Sequence, residues 1–515
     1  MKRTTKILCL VLAVGLLFTG IAFAEGEEDA EADPDAAAEL QTEEQQETEA
    51  EAEAPAEEPE TPAETPVPVD RELRSDARLY LWIGLSYGSG AADKITLRCP
   101  DGFIIAKGNN KGWTETDIQT DSTTLTIVPS DGQATVVDES GTTILGGMGN
   151  GGYIVFSAAE DPEDRFITIN GSRYRDGATA TVYGSKLNVI NVIEMEHYVR
   201  GVVANEMGYD YPAEALKAQA IAARSYAYRN INKHKNYGFD LCTTQDCQVY
   251  RGYASEHDTT DAACAATKGR VMTYGGKVVE AFYYAYSGGA TLNSEDVWVN
   301  ALDYCRGKVD EYYSDYRWAV HYSMDELTKE MVSRGRNIGD VTSVQVTKRH
   351  NTGAVAEVTF VGTKGQTSIS KSTILSALGL KSFMFALGSE QFVWNKDGMA
   401  TVTDAAVSIA GAGASAEDVR SVAVIGANST ADSVSAADLR ISNGTVVSMP
   451  QGNVSPGWTD DPVQSDVLYI AGSGWGHGVG MPQTSARNMA NEGYSCEEIL
   501  KYYYEGIEIG YLADF

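Results

Sequence analysis

Residues 197–235 read HYVRGVVANEMGYDYPAEALKAQAIAARSYAYRNINKHK, and the rest of the chain is organised around this stretch. Its first half has the spacing of a short amphipathic helix, with Val199, Val202 and Val203 on one face. Glu206 follows these valines at helical spacing, so its carboxylate is predicted on the same apolar face. Two interpretations remain: a structural glutamate that reaches water at the helix edge, or an acid whose pKa is raised by desolvation.

The second half of the stretch predicts another helix, because a proline at position 212 opens an alanine-rich run. Small residues spaced for close packing occupy one face of that helix: Leu216, Ala220, Ala223 and Ala227. A second face carries larger polar groups: Lys217, Arg224 and Tyr228. A partner for a buried acid is one interpretation of Arg224, and a substrate contact is the other.

The N-terminal residues predict export. Residues 1–24 have the pattern of a secretory signal, with basic residues, an apolar run and Ala22-Phe23-Ala24 as a cleavage site. The apolar run is short for a membrane span, so the chain carries at most an N-terminal membrane anchor. Residues 25–70 hold 19 Asp or Glu and no Lys or Arg, which predicts a disordered acidic Ala/Glu/Pro tether.

Charge excludes one class of partner. The formal net charge is −32, of which the tether contributes −19 and the signal +3, so residues 71–515 carry −16. A surface this acidic argues against a nucleic-acid partner.

The fold class predicted by the remaining pattern is α+β. Short apolar-alternating runs separated by Gly, Asn and Asp clusters predict an N-terminal antiparallel β module in residues 71–190. A mixed α/β region follows in 191–394, and an Ala/Ser/Gly-rich stretch, 395–465, predicts a β-rich insertion. Residues 466–515 return to the main domain, with helices expected at Gln483–Asn491 and Cys496–Tyr504.

Several further positions are candidates for chemistry. The loop Gly474–Gly480 has four glycines around Trp475 and His477, and a tight structural turn is the alternative to a binding loop. Ser287 ends an aromatic strand but lacks the GxSxG elbow of serine hydrolases. Cys242 and Cys247 form a close pair that suits either half of a zinc site or a local disulfide, and export favours the disulfide.

Several motifs in order resemble one family. VVANEM followed by PAEALKAQAIAARSYA resembles the hallmark of the stage II sporulation protein D / LytB family (SpoIID/LytB). The same holds for DCQVYRG, ATKGRVMTYGGKVVEAFYYAYSGG, ALGLKSFMF and GWGHGVGMPQ. The resemblance runs from about residue 77 to residue 509, interrupted by 395–465, and it marks 191–394 as the catalytic region.

The resemblance implies a peptidoglycan lytic transglycosylase that cleaves the MurNAc–GlcNAc bond of peptide-stripped glycan strands and leaves 1,6-anhydro-MurNAc ends. The family's catalytic glutamate corresponds to Glu206. Such an enzyme needs one acid, because the C6 hydroxyl of the muramic acid attacks the anomeric carbon in place of water. The groups expected to hold sugar hydroxyls or to stabilise charge are these: Lys217, Gln219, Arg224, Tyr250, Ser287, His477 and Gln483.

Two further expectations follow from the resemblance. Some members with cysteines in the QVY loop bind zinc, which implies Zn at Cys242 and Cys247, although Asp246 stands where a histidine is expected. The LytB branch suggests a different class of function, a non-catalytic enhancer of an N-acetylmuramoyl-L-alanine amidase. A third alternative, which does not depend on the resemblance, is a binding module in which the β region 76–190 docks on wall polymer or a partner. The expected location is extracellular, in the cell wall or on the outer face of the cytoplasmic membrane.

Overall fold

The computed structural model describes residues 79–109, 112–148, 152–389, 391–395, 398–402, 421–425, 431–435, 460 and 462–515. The predicted signal peptide (1–24) and acidic tether (25–70) lie outside the described residues. None of the helices in the described ranges combines the length and apolar character needed to cross a bilayer.

Twelve strands form the N-terminal β module: β1 Tyr80–Ser86, β2 Ile95–Arg98, β3 Phe103–Asn109, β4 Gly112–Thr120, β5 Thr124–Ser130, β6 Gln133–Val137, β7 Thr143–Met148, β8 Tyr153–Ser157, β9 Phe166–Ile169, β10 Ser172–Arg175, β11 Gly177–Tyr183 and β12 Lys186–Glu194. Their order is β1-β12-β11-β8-β3-β4 in one sheet and β10-β9-β2-β5-β6-β7 in the other. The sheets share an apolar core that includes Leu97, Phe103, Ile127 and Val189. Alternate burial along β5 is the pattern expected of strands with one face on such a core.

Two helices follow directly, α1 Met195–Glu206 and α2 Ala213–Arg229. Helix α1 begins at the end of β12 because the Glu194 side chain accepts hydrogen bonds from the backbone N–H groups of Glu196 and His197. Pro212 precedes the first turn of α2. All alanines of α2 after Ala213 are fully buried, and their small size lets α1 and three other helices pack closely against it.

The central part of the chain alternates helices and strands: β13 Leu241–Cys242, α3 Asp258–Ala266, β14 Arg270–Tyr274, β15 Lys277–Val278, β16 Tyr283–Tyr284, α4 Ser294–Val297, β17 Arg317–Ser323, α5 Met324–Ser333, β18 Val341–Arg349, β19 Val355–Gly362, β20 Gly365–Ser370, α6 Ser372–Ala377 and β21 Met384–Gly388. Strand β13 runs parallel to β1, so the loop that follows it is attached to the edge of the N-terminal β module.

Two antiparallel hairpins lie in the predicted insertion or at its start. Their strands are β22 Gln391–Asn395, β23 Gly398–Val402, β24 Ser421–Ile425 and β25 Ala431–Ser435. At the far end of this range, Val463 is buried and forms a bridge with Val344 of β18. The last residues of the predicted insertion therefore pack with the main domain.

The C-terminal segment completes sheets that begin much earlier in the chain. Its elements are β26 Val467–Ser473, β27 Met481–Pro482, α7 Gln483–Asn491, α8 Cys496–Tyr503 and β28 Glu508–Tyr511. Strand β26 lies between β17 and β21, β27 pairs in parallel with β16, and β28 pairs with β14. The mixture of sheets and helices confirms the predicted α+β class, and the return of the chain brings α7 back to the region of α1.

Candidate active site

The Glu206 carboxylate lies at the end of α1, held by two donors from distant parts of the chain. The backbone N–H of Val249 donates to its Oε1 at 2.9 Å. The Gln483 amide nitrogen donates to its Oε2 at 3.3 Å. The three valines that precede Glu206 on the same face are fully buried, as the helical spacing predicts. The apolar face of α1 therefore ends in a partly buried carboxyl group.

Burial raises the pKa of Glu206 above its usual value, and the hydrogen bonds from Val249 and Gln483 act in the opposite direction. No charged side chain of the described residues contributes to this shift. The buried hydroxyl of Tyr283 also lies near this carboxyl group. Such surroundings favour the protonated form, which is the form a general acid requires.

The donor at Val249 is fixed by its neighbour Gln248. The buried Gln248 amide donates to the Ala223 carbonyl of α2 at 3.2 Å and accepts from the Tyr198 hydroxyl at 3.3 Å. The same amide nitrogen lies 2.9 Å from the Tyr283 hydroxyl. Because both ends of the amide are held, the peptide at Val249 keeps its N–H directed at Glu206.

Tyr250, predicted to contact substrate, is buried in the protein instead. Its hydroxyl donates to Asn191 at 2.9 Å, and it is only 3% exposed. Its ring occupies the space where a side chain at Gly201 would lie, since an added Cβ would come within 2.5 Å of it. The role supported by these contacts is packing of the QVY loop against α1.

The His477 side chain is also held by contacts within the protein. Its Nε2–H donates to the Tyr283 carbonyl at 3.1 Å, and its Nδ1 accepts from the Val479 N–H at 3.1 Å. Burial lowers the pKa of His477 to about 4, so the ring is neutral near pH 7. Glycine is required beside it at Gly480, where φ is +78° and an added Cβ would lie 2.1 Å from the Phe282 carbonyl oxygen. The glycine loop thus forms a tight turn locked by the imidazole.

Ser287 does not face the carboxylate of Glu206. It is 3% exposed, and its hydroxyl donates to Asp310 at 2.6 Å. The Ser485 hydroxyl donates to the same oxygen at 2.6 Å, and the Tyr503 hydroxyl donates to the other carboxylate oxygen at 3.0 Å. Asp310 therefore ties the loop at Ser287 to the first turn of α7, next to Gln483.

The other residues of α2 that were predicted to contact substrate either pair with protein side chains or are buried. Arg224 is fully buried and forms a two-pronged pair with Glu196 at 2.6 and 2.9 Å, so partnering a buried acid is the interpretation the structure supports. Lys217 pairs with Glu214 at 2.7 Å. Gln219 is fully buried, and neither polar atom of its amide has a hydrogen-bond partner among the described residues. Of the predicted substrate contacts, Gln483 is the one hydrogen-bonded to Glu206.

A row of aromatic rings was not predicted from the sequence. The ring centroids of Tyr286 and Tyr316 are 4.8 Å apart, and those of Tyr316 and Trp475 are 5.3 Å apart. Lys381 Nζ lies 4.7 Å from the Trp475 ring centroid and donates to the Tyr316 hydroxyl at 2.8 Å. All four side chains are at least partly exposed, and ring faces of this kind suit the apolar faces of sugars. Their wide separation in the sequence hides the row from pattern analysis.

The cysteine pair belongs to a cluster of four potential metal ligands, His234, Cys242, Asp246 and Cys247, whose ligand atoms lie within 4.8 Å of one another. His234 Nε2 lies 3.1 Å from an Asp246 carboxylate oxygen and 3.3 Å from Cys247 Sγ. Both cysteines are free thiols. Two sulfurs, one imidazole nitrogen and one carboxylate oxygen form a donor set that suits tetrahedral Zn²⁺. His257, also close in sequence, stacks on Tyr209 instead.

The ionisation of the cluster suits a cation. Hydrogen bonds with Cys247 and His234 lower the pKa of the Cys242 thiol to about 4, although burial opposes the change. Hydrogen bonds with Asp246 and Cys242 raise the pKa of His234 to about 9. The cluster therefore concentrates negative charge on Cys242 and Asp246, which a divalent ion would neutralise. Cys247 is two residues before Val249, so the cluster also anchors the loop that reaches Glu206.

Comparison with known proteins shows what the chain is similar to. Residues 183–274 match the family model described as SpoIID, stage II sporulation protein. This domain match, together with relatives named stage II sporulation protein D and amidase enhancer, supports similarity to the SpoIID/LytB family. Residues 287–414 match a second family model, described as a domain of unknown function, DUF8618.

The relatives of this protein that have functional names carry names of two kinds. Stage II sporulation protein D of Bacillus amyloliquefaciens is 26% identical over 356 residues, which cover 65% of this chain and 79% of that protein. The amidase enhancer of Bacillus subtilis is 29% identical over 314 residues, which cover 60% of this chain but only 39% of the enhancer. An uncharacterized protein of Brachyspira hyodysenteriae is 26% identical over 352 residues, covering 68% of this chain and 75% of that protein.

The SpoIID match contains Glu206, Val249 and the four residues of the metal cluster. Gln483 lies outside it, in the C-terminal segment that pairs with the earlier sheets. The candidate active site is thus assembled from the matched region and from a segment more than 200 residues further along the chain.

Proposed function

We propose that the protein is a peptidoglycan lytic transglycosylase that cleaves peptide-stripped glycan strands and leaves 1,6-anhydro-MurNAc ends. The SpoIID family is associated with cell-wall lytic activity. The observation that carries the more specific proposal is the surroundings of Glu206: a raised pKa, two neutral donors and no charged neighbour that contributes to the shift among the described residues. Glycoside hydrolases of the common kind use two carboxylates about 5–10 Å apart. A single carboxyl group suits a reaction in which the substrate supplies its own nucleophile.

In the first half of the reaction, protonated Glu206 donates its proton to the glycosidic oxygen as the C1–O bond breaks. In the second half, the resulting carboxylate accepts the proton of the C6 hydroxyl while that oxygen bonds to C1 and closes the anhydro ring. The donors at Val249 and Gln483 stabilise the carboxylate that exists between these transfers. No external water is consumed, so the products are a new GlcNAc hydroxyl and an anhydro sugar.

The cofactor we propose is Zn²⁺ bound by His234, Cys242, Asp246 and Cys247. Four protein ligands leave no open position, which is the arrangement of structural zinc sites. When bound, the ion would fix the loop between α2 and Val249. The chemistry at Glu206 would remain that of the protein's own carboxyl group.

We further propose that the protein is exported and acts in the cell wall. The support is the signal-like sequence 1–24 and the acidic tether 25–70. The names of the relatives include stage II sporulation protein D, which places wall remodelling during sporulation among the contexts to test.

A second candidate function is enhancement of a cell-wall amidase without catalysis. It is favoured by the 29% identity to the amidase enhancer of Bacillus subtilis. Glu206→Gln separates the two functions, because the amide cannot donate an acidic proton but retains the shape of the side chain. If wild type cleaves glycan and Glu206→Gln does not, the transglycosylase is supported. If wild type releases no anhydro sugar but stimulates an amidase, and Glu206→Gln still stimulates it, the enhancer is supported. The matched control is Glu330→Gln. Glu330 is on α5, and its carboxylate is paired with Arg334.

A further inference from the structure

One arginine beside the candidate active site has a position that the mechanism does not use. Arg487 is on α7, four residues after Gln483, and residues at this spacing lie on the same helix face, about 5–6 Å apart at Cβ. Since Gln483 donates to Glu206, Arg487 starts one helical turn from a residue that contacts the candidate acid. Its guanidinium carbon lies 5.2 Å from the ring centroid of Tyr211, five residues after Glu206.

Arg487 differs from other partly buried arginines in its charge partners. Among the described residues, no carboxylate forms a salt bridge with this partly buried side chain. Other arginines that are at least partly buried do have such partners: Arg224 pairs with Glu196, and Arg306 pairs with Glu295. The contrast is notable in a chain with a formal charge of −32. A guanidinium held over an aromatic ring, partly withdrawn from water, is suited to bind an anion supplied by a ligand.

The surroundings of Tyr211 connect this guanidinium to the aromatic row. The phenol of Tyr286 lies close enough to contribute to the raised pKa of Tyr211, after burial as the main cause. Tyr286 is the first ring of the row that continues to Tyr316 and Trp475. The aromatic row thus begins near Tyr211, the ring over which Arg487 lies, and Gln483 on the same helix as Arg487 contacts Glu206. A polymer of sugars with occasional anionic groups would suit this combination of rings and a cation.

The chemistry of the proposed substrate supplies such an anion. The muramic acid whose C1–O bond is cleaved also carries a lactyl ether, on the same sugar ring as that bond. Removal of the stem peptide converts the lactyl amide into a free carboxylate, and a guanidinium binds a carboxylate through two charge-assisted hydrogen bonds. An amide offers one neutral acceptor and cannot form that pair.

We infer that Arg487, supported by Tyr211, forms an anion subsite for the free lactyl carboxylate of the muramic acid at Glu206, and thereby selects peptide-free strands. This inference rests on the proposed function. It assigns substrate selection to a residue of α7, separate from the acid and from the metal cluster.

The test compares two glycans of the same length: peptide-free strands with free lactyl carboxylates, and the same strands with those carboxylates converted to methylamides. Wild type, Arg487→Gln, Arg487→Lys and the control Arg334→Gln are assayed for anhydro-sugar release, with kcat/KM as the readout. Thermal unfolding of each variant establishes that the fold is retained. Arg334 is a suitable control because its charge is already paired with Glu330 on α5.

The expected result is about a tenfold loss of kcat/KM for Arg487→Gln on the free-carboxylate strand, consistent with one lost charge-assisted interaction, and little change on the methylamide. Arg487→Lys should retain part of the preference, and Arg334→Gln all of it. Equal losses on both strands, or a wild type that prefers neither, would overturn the subsite while leaving the proposed function intact. If the wild-type protein cleaves neither glycan, the proposed function and the subsite fail together.

Discussion

Asp310 is expected to be a main stabilising residue of the domain, and the expected loss can be calculated from its contacts. Its carboxylate is 1% exposed and accepts hydrogen bonds from Ser287, Ser485 and Tyr503, and from the backbone N–H of Tyr312. A hydrogen bond to a charged acceptor contributes about 1.5–3 kcal/mol. With the lower value for the three hydroxyl donors, Asp310→Ala should lower the free energy of unfolding by about 4–5 kcal/mol.

Urea unfolding of wild type, Asp310→Ala, Asp310→Asn and Ser485→Ala measures this loss. Asparagine keeps one acceptor oxygen, so its loss should be about half that of alanine, and Ser485→Ala should lose about 1.5 kcal/mol. Anhydro-sugar release at a temperature where each variant is folded should also fall, because Ser485 is in the turn of α7 that carries Gln483. A loss below about 1 kcal/mol for Asp310→Ala would refute the argument.

Two further predictions concern protonation and metal. Burial raises the pKa of Glu206 in the folded state, so the charged carboxylate is disfavoured there, and wild type should lose stability relative to Glu206→Gln as pH rises above the unfolded value of about 4.3. Urea unfolding should show the variant more stable at pH 8 and equal to wild type near pH 4, and equal stability at both would contradict the assigned burial. Protein purified without added metal should contain about one equivalent of zinc, lost in a Cys242→Ser/Cys247→Ser variant but kept in Cys99→Ser. Less than about a tenth of an equivalent in wild type would exclude the metal site.

Local sequence patterns predicted secondary-structure elements well where one feature of the sequence was strong. The helix Gln483–Asn491 was predicted with the bounds that the structure has, since a glycine loop precedes it and a glycine follows it. Strands β4, β7 and β10 have weak sequence signals of their own, because they are polar, glycine-containing or only four residues long. Such strands exist because neighbouring strands pair with them, and that pairing is not visible in their own composition.

In the candidate active site, too, some features could be predicted from the sequence and others could not. The position of Glu206 on an apolar helix face follows from spacing alone, and the fully buried valines before it agree with that prediction. The partners of Arg224 and Ser287 depend on contacts with Glu196 and Asp310, which a pattern of residue types does not locate. A buried polar side chain looks the same in the sequence whether its partner is substrate or protein.

The same limit applies to the metal cluster and to Arg487. The two cysteines were identifiable by their spacing, whereas His234 and Asp246 joined them only once the loop was folded. Arg487 carries no motif, and its interest lies in the absence of a carboxylate partner among the described residues. Both features can be recognised only when the positions of the charged side chains in the fold are known.

The central claim is that Glu206 acts alone as acid and then as base. Mass spectrometry of the products from a defined peptide-free glycan tests it most directly, with wild type, Glu206→Gln and the control Glu330→Gln compared in ordinary and in ¹⁸O-labelled water. The account predicts 1,6-anhydro-MurNAc ends without ¹⁸O from wild type and control, and no cleavage by Glu206→Gln. Reducing ends that contain ¹⁸O, or anhydro products from Glu206→Gln, would contradict it.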